Sequence, residues 1–260
     1  PTGLTVCSTS RSAPDSPSST AATDPPALVA APGASLAHIA RDKRDTAASR
    51  ENLFEPFVSG KDSLNNEYLG SDGQRHAVPP TLVITAVAHV PDVQATVTSD
   101  LKATDNVLLL LGNTKPEFGG SHAALVGDAP HDGVVPRFDV AAPARYRALH
   151  TAIRAGLIRA CHDCSEGGVA VAVAEMAIGG RLGVRFNPIA DPVAVAELLF
   201  SESLGRLVIE VATADVAAVQ QLIAEPITNI GHVTVEQMLV LPNGSSIKLT
   251  TLLTAWQAEQ

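Results

Sequence analysis

Aromatic side chains make up only 3% of the chain and charged ones only 17%, against 45% hydrophobic residues. A core with so few rings must be packed from Val, Leu, Ile and Ala. That suits sheets buried under helices, not aromatic platforms for single-stranded nucleic acid. Cysteine is scarce as well. Cys7, Cys161 and Cys164 are an odd, sparse set that describes no disulfide framework and points to a reducing, cytoplasmic setting. No run approaches the roughly eighteen apolar residues of a membrane span. The N-terminus lacks the basic-then-apolar pattern of a signal peptide, and its first residue, Pro1, suggests a fragment. Clusters of Lys and Arg are missing too, and the net charge is −9, which argues against non-specific nucleic-acid binding. An acidic chain can still hold a nucleotide if backbone amides and Mg²⁺ neutralise the phosphates.

What is present divides the chain. Within residues 1–35, 25 are Ala, Pro, Ser or Thr, so this arm cannot bury enough apolar surface to offset its chain entropy. Residues 36–51 are charged without an apolar face and read as a solvated linker. Order is expected from "NLFEPFVSG" onward, with "FEPFVSG" as a short buried strand. "TLVITAVAHV" and "NVLLLLG" are β-branched or aliphatic runs that predict strands. Tyr146, Leu149, Ile153 and Leu157 recur at helical spacing and predict an amphipathic helix.

Further helices are predicted at "GGVAVAVAEMAIGG", "DPVAVAELLF", "TADVAAVQQLIAE" (with Thr213 as N-cap) and "LLTAWQAEQ". Strands are predicted at "RLVIEV", "MLVLP" and "SIKLT", the last two joined by a "PNGSS" hairpin turn. The interleaving predicts a layered α+β (or α/β) fold, with helices backing the strands on one side.

Three stretches could carry chemistry. "RACHDCSEGG", residues 159–168, holds a C-x-x-C pair. A thioredoxin-like pair would follow a strand and open a helix, whereas this one is expected to follow a helix, with Asp163 opposing thiolate formation. Structural zinc needs four ligands, and His162 is the only other soft ligand nearby. The same residues also suit a phosphate loop. Asp163 is a hard oxygen ligand for Mg²⁺, Ser165 offers a hydroxyl, Glu166 adds a carboxylate, and Gly167-Gly168 admit close approach. The competing account has Asp163 and Ser165 capping the following helix, and chemistry alone does not separate the two.

"VSGKDSLNNE" lacks the first glycine of a Walker A motif. Its Asp62 could hold a cation, Lys61 could meet a phosphate and Ser63 a substrate oxygen; an ordinary turn is the plainer account. In "LFSESLGR", Glu202 and Arg206 have the spacing of a surface i,i+4 pair. His122, after Gly119-Gly120, is as consistent with a loop histidine as with a ligand. His76, His89, His131, His150 and His232 assemble no site.

Five collinear stretches, "FVSGKDSLNNEY", "DGQRHAVPPTLVITAVAHVPDV", "LLLLGNTKPEFGGSH", "CHDCSEGGVAVAVAEMAIGGRLGV" and "LFSESLGRLVIEV", together resemble the phosphoribosylformylglycinamidine synthase family, over about residues 54–256. The resemblance is to the last third of its synthetase subunit. The H-D-x-S-[DE]-G-G element is shared with the wider AIR synthase-like enzymes.

The resemblance implies ATP- and glutamine-dependent conversion of formylglycinamide ribonucleotide to the amidine, with ATP or ADP and Mg²⁺ as cofactors. The implied partners are a glutaminase subunit and the missing synthetase half. It implies Asp163 and Asp62 as metal ligands, Gly60, Asp163 and Ser165 as nucleotide contacts, and Ser63 as a substrate contact. Lys61 stands where many members carry a metal-ligating Asn. The expected organisation is a disordered or aberrant linker over 1–51, with the resemblance implying the end of an AIR synthase-like N-terminal domain over 52–103 and a C-terminal domain over 104–260. "TLVITAVAHV" would be an interface strand, exposed and liable to aggregate. Without a first half the isolated chain is expected to be inactive. The alternative expectation is a non-catalytic nucleotide-binding module that needs a partner synthetase half.

Overall fold

The computed structural model describes residues 67–77, 90, 92–127, 133–223 and 226–258. The N-terminal arm, the "FEPFVSG" strand, Gly60, Lys61, Asp62 and Ser63, and all of "TLVITAVAHV" except Val90 lie outside these. The chain forms two compact units, Pro1–Pro91 and Asp92–Gln260. In the first, β1 (Glu67–Leu69) and β2 (Arg75–Ala77) pair as an antiparallel hairpin.

The second unit is built on seven strands: β3 (Val107–Leu111), β4 (Ile158–Asp163), β5 (Gly183–Phe186), β6 (Leu207–Val211), β7 (Ile227–Thr234), β8 (Met238–Val240) and β9 (Ser246–Lys248). Their spatial order is β4-β6-β3-β7-β5-β8-β9. Neighbours are antiparallel except β5 and β8, which run parallel. The helices are α1 (His122–Leu125), α2 (Ala142–Arg154), α3 (Gly168–Gly180), α4 (Pro192–Phe200), α5 (Val216–Leu222) and α6 (Leu249–Gln257).

Central strand β3 explains the layering. Alternate side chains of a strand point to opposite faces, and here every leucine from Leu108 to Leu111 is buried. Leu108 and Leu110 join Val208, Ile230 and Val233 against Val169, Val173, Met176 and Ala177 of α3, with Leu199 of α4 and Leu249 of α6. Leu109 and Leu111 join Ile209 and Val211 against Leu149 and Ala152 of α2 and Val219 of α5. Helices therefore cover both faces of the sheet, not one as expected, because an unbroken aliphatic strand must be shielded on both sides.

Two other expectations are corrected. α2 turns Ala142, Arg145, Leu149 and Ala152 inward, and Leu157 lies beyond its end. Thr213 does not cap α5. Its hydroxyl donates to the Asp105 carbonyl at 2.7 Å, and a short 3₁₀ turn over Thr213–Asp215 precedes the helix. Strands β1, β2, β4, β5 and β7 are not among those the sequence predicts; β5 is short, and β7 mixes polar residues with Gly231.

Candidate functional site

The "RACHDCSEGG" stretch lies at the end of a strand. Cys161, His162 and Asp163 pair in register with Ile209, Val208 and Leu207 of β6, and the Cys164 amide donates to the Arg206 carbonyl at 3.1 Å. The expectation that the cysteine pair follows a helix is therefore wrong. A strand intervenes, and the arrangement is strand, turn, helix. Even so, the thiols are not activated: burial pushes both up to about 12, so neither is a nucleophile at neutral pH. Among the described residues no group of three or more His, Cys, Asp or Glu side chains could hold a metal ion, so the zinc reading has no site there.

After Ser165 and Glu166 the chain turns through two consecutive left-handed residues, Gly167 (φ 78°) and Gly168 (φ 69°), into α3. A side chain at Gly168 would place its Cβ 2.5 Å from the Ser201 carbonyl oxygen and 2.8 Å from that of Leu199. The turn is thus pressed onto the backbone where α4 ends. The small residues of α3 let it lie close behind the sheet.

Three ionisable side chains meet at this turn. His162 Nδ1 lies 2.8 Å from the Asp163 carbonyl oxygen and 3.5 Å from Asp163 Oδ1, and Nε2 lies 3.0 Å from Glu175 on α3. Hydrogen bonding to Asp163, then to Glu175, raises His162 to about 10 against the opposing effect of burial. The ring is therefore an imidazolium at neutral pH, donating from both nitrogens. The same His162 contact, aided by the Ser165 hydroxyl, holds Asp163 down at about 2. Ser165 Oγ donates to Asp163 Oδ2. Neither side chain caps α3, whose N-cap is Gly167, a residue with no side chain to cap it. Asp163 keeps 59% of its side chain in solvent, an ionised carboxylate open to a further ligand.

These shifts carry opposite pH signs. The raised His162 contributes stability fully below pH 6.5, and this is lost as pH climbs through about 10. The depressed Asp163 contributes above pH 3.8, and this is lost as pH falls through about 2. The stability lead of wild type over His162→Asn should therefore be greatest between about pH 4 and 6.5 and shrink toward pH 10. Melting curves across that range check this; a lead that grows with alkalinity would contradict the assignment.

A second layer supports the turn. Glu202 is not a surface partner of Arg206. Its Oε1 accepts from the Gly167 amide at 2.9 Å and the His122 amide at 2.8 Å. Arg206 is 1% exposed and donates to Thr114 Oγ1 at 2.9 Å, to the Ser203 carbonyl at 3.2 Å and to the Ser201 carbonyl. Arg145, wholly buried on α2, pairs with Asp139 at 2.9 Å and donates to the Gly205 carbonyl at 2.8 Å. Glu175, Arg145 and the buried role of Glu202 escaped the sequence reading. The lone charge of Glu175 within an otherwise apolar helix was the available signal.

The structure thus brings Asp163, Ser165, Gly167 and Gly168 together with His162, Glu175 and Glu202. A groove of about 540 Å³ lies elsewhere, between β5 and the β8–β9 turn, lined by residues such as Arg185, Asn187 and His232. Its lining has neither a carboxylate nor a hydroxyl, so it offers no comparable chemistry.

The family model described as AIR synthase related protein, C-terminal domain, matches residues 103–242. The chain belongs to the AIR synthase-related family. Among solved structures, this AIR synthase-related chain is similar to Thermotoga maritima PurL complexed with FGAR, at 20% identity and TM-score 0.52, over 62% of this chain and 30% of that one. It is similar to T. maritima phosphoribosylformylglycinamidine synthase II at 18% identity and TM-score 0.50, over 62% and 28%. A weaker likeness, at 21% identity and TM-score 0.43, is to Escherichia coli HypE, over 58% and 51%. The chain spans less than a third of the length of the two T. maritima structures. No described helix is long and apolar enough to cross a membrane.

Proposed function

We propose that this chain is the C-terminal part of a phosphoribosylformylglycinamidine synthase, and that the Asp163–Gly168 turn holds nucleotide phosphates. The carrying observation is the state of Asp163: ionised, more than half exposed, and not used as a helix cap. An anionic ligand beside it needs an intervening cation, and hard oxygen donors suit Mg²⁺. The donor set fits that ion on restricted terms. Asp163 supplies one protein oxygen, and phosphate oxygens and water would complete the shell. When bound, Mg²⁺ would neutralise phosphate charge.

The chain's own residues then divide the remaining work. Ser165 fixes the Asp163 rotamer and can offer its oxygen to the nucleotide. His162, locked between Asp163 and Glu175, orients the carboxylate. The Gly167-Gly168 step lets the turn press onto the backbone at the end of α4, which fixes the loop that carries Asp163 and Ser165. Gly60 would be a further nucleotide contact and Ser63 a contact to formylglycinamide ribonucleotide, the substrate class suggested by the FGAR complex of the T. maritima protein. Residues 52–103 would close a first AIR synthase-like domain and 104–260 form the second. The whole reaction, ATP-dependent amidine formation in purine biosynthesis in the cytoplasm, would need the rest of a synthetase and a glutaminase.

A second reading is a non-catalytic nucleotide-binding module. On it, the isolated chain binds nucleotide without catalysing and requires a partner synthetase half. Calorimetry with ADP, with and without Mg²⁺, on wild type and Asp163→Asn tests the binding that both readings share. An activity assay with and without a complementary half separates them.

A further inference from the structure

We propose that Glu202 is a positioning residue, a single carboxylate that holds the Gly167 turn and the Gly119–His122 turn at fixed separation and so sets two sides of the nucleotide pocket. The inference rests on the phosphate reading of the Asp163–Gly168 turn. One oxygen, Glu202 Oε1, accepts both the Gly167 and the His122 amides, at 2.9 and 2.8 Å, from segments 35 and 80 residues away in sequence. Only 10% of the side chain is exposed, so water competes weakly for that oxygen.

The carboxylate is itself held from behind. The Glu202 amide donates to the Glu117 carbonyl at 3.1 Å, and the Lys115 amide donates to Ser203 Oγ at 3.0 Å. Arg206 anchors the carbonyls of Ser201 and Ser203 on either side. The second turn is equally confined: a Cβ on Gly119 would lie 2.6 Å from the Gly133 carbonyl oxygen, and the Gly119 amide donates to the Val134 carbonyl at 2.8 Å. Two turns from distant parts of the chain therefore meet at one acceptor.

The His122 ring lies beside that acceptor, with Nδ1 3.6 Å from Oε1 and 52% of the side chain in solvent. Glu202 thereby also fixes where this imidazole sits relative to Gly167. The two amides themselves require an acceptor at that point and not a full negative charge. Glutamine, whose amide oxygen accepts equally, should preserve the clamp.

The test is run on the full chain with Glu202→Gln and Glu202→Ala. Amide exchange at Gly167 and His122 is followed by NMR, and Mg²⁺-ADP affinity by calorimetry. Glu202→Ala is expected to accelerate exchange at both amides together by about tenfold or more and to weaken ADP by a similar factor. Glu202→Gln is expected to restore both to within about threefold of wild type. If Glu202→Ala does not fold, Glu202→Asp, one methylene shorter, replaces it and is expected to release at least one amide.

Exchange at both amides unchanged in the variant overturns the clamp, and so does glutamine behaving like alanine. Accelerated exchange with unchanged ADP affinity reduces Glu202 to a structural residue and overturns the positioning role. A wild-type chain that binds no ADP overturns the proposed function and the nucleotide half of this inference, while the exchange data decide the clamp by themselves.

Discussion

Gly168→Ala is expected to destabilise the chain by roughly 3 kcal/mol or more, lowering the melting temperature by about 10 °C for a unit of this size, and to abolish nucleotide binding. Two costs add. An alanine held at φ 69° is strained in the left-handed region, which costs roughly 1–2 kcal/mol. Its Cβ would also lie 2.5 and 2.8 Å from the carbonyl oxygens of Ser201 and Leu199, backbone atoms that cannot rotate away. Gly156→Ala is the matched control. Its φ of 73° imposes the same conformational strain, but nothing lies within 4 Å of the added carbon. The control should cost only about 1 kcal/mol. Thermal denaturation of the two variants separates contact from conformation; equal losses would mean that the turn is not pressed onto the end of α4.

Arg206→Met is expected to cost roughly 3 kcal/mol. Methionine approximates the length of the stem but removes donors to the Ser201 and Ser203 carbonyls and to Thr114. It also deletes the cation that faces buried Glu117 and Glu202. Replacing every member of a buried polar network by apolar groups can be neutral, whereas deleting one member strands the rest. Arg206→Lys should recover only part of the loss, since a single ammonium cannot reach three acceptors arranged around a planar guanidinium. Chemical denaturation measures this. A loss under about 1 kcal/mol would show that the 201–206 segment does not depend on the guanidinium.

These two residues also show what sequence makes legible. Continuous aliphatic runs announced β3 and β6, and small-residue or periodic stretches announced α2 to α6, because burial leaves a pattern along the chain itself. The two-sided cover of the sheet was equally implicit in "VLLLL", where leucines at alternate and intervening positions both need shelter. β7 left no such pattern. Its identity as a strand comes from its neighbours β3 and β5 and not from its own mix of Asn, His and Gly.

Of the proposed site, Asp163, Ser165 and the Gly-Gly step lie within six residues of one another, so the sequence alone can suggest them as one turn. Glu202 could not be read this way, because its partners stand in two other loops and its spacing to Arg206 imitates a surface pair. Arg145 was hidden for a related reason: a charge on a helix argues for solvent until a carboxylate such as Asp139 and a free carbonyl are known to lie opposite it.

Binding of ADP to the full chain as a function of Mg²⁺, for wild type and Asp163→Asn, tests the central claim most directly. Asparagine keeps the size of the side chain and can still accept from Ser165 but removes the charge that recruits the cation. The account predicts Mg²⁺-dependent binding by wild type and a loss of about tenfold or more in the variant, with both proteins folded at the temperature of measurement. Binding of equal strength in both proteins, or binding by wild type that ignores Mg²⁺, would contradict it.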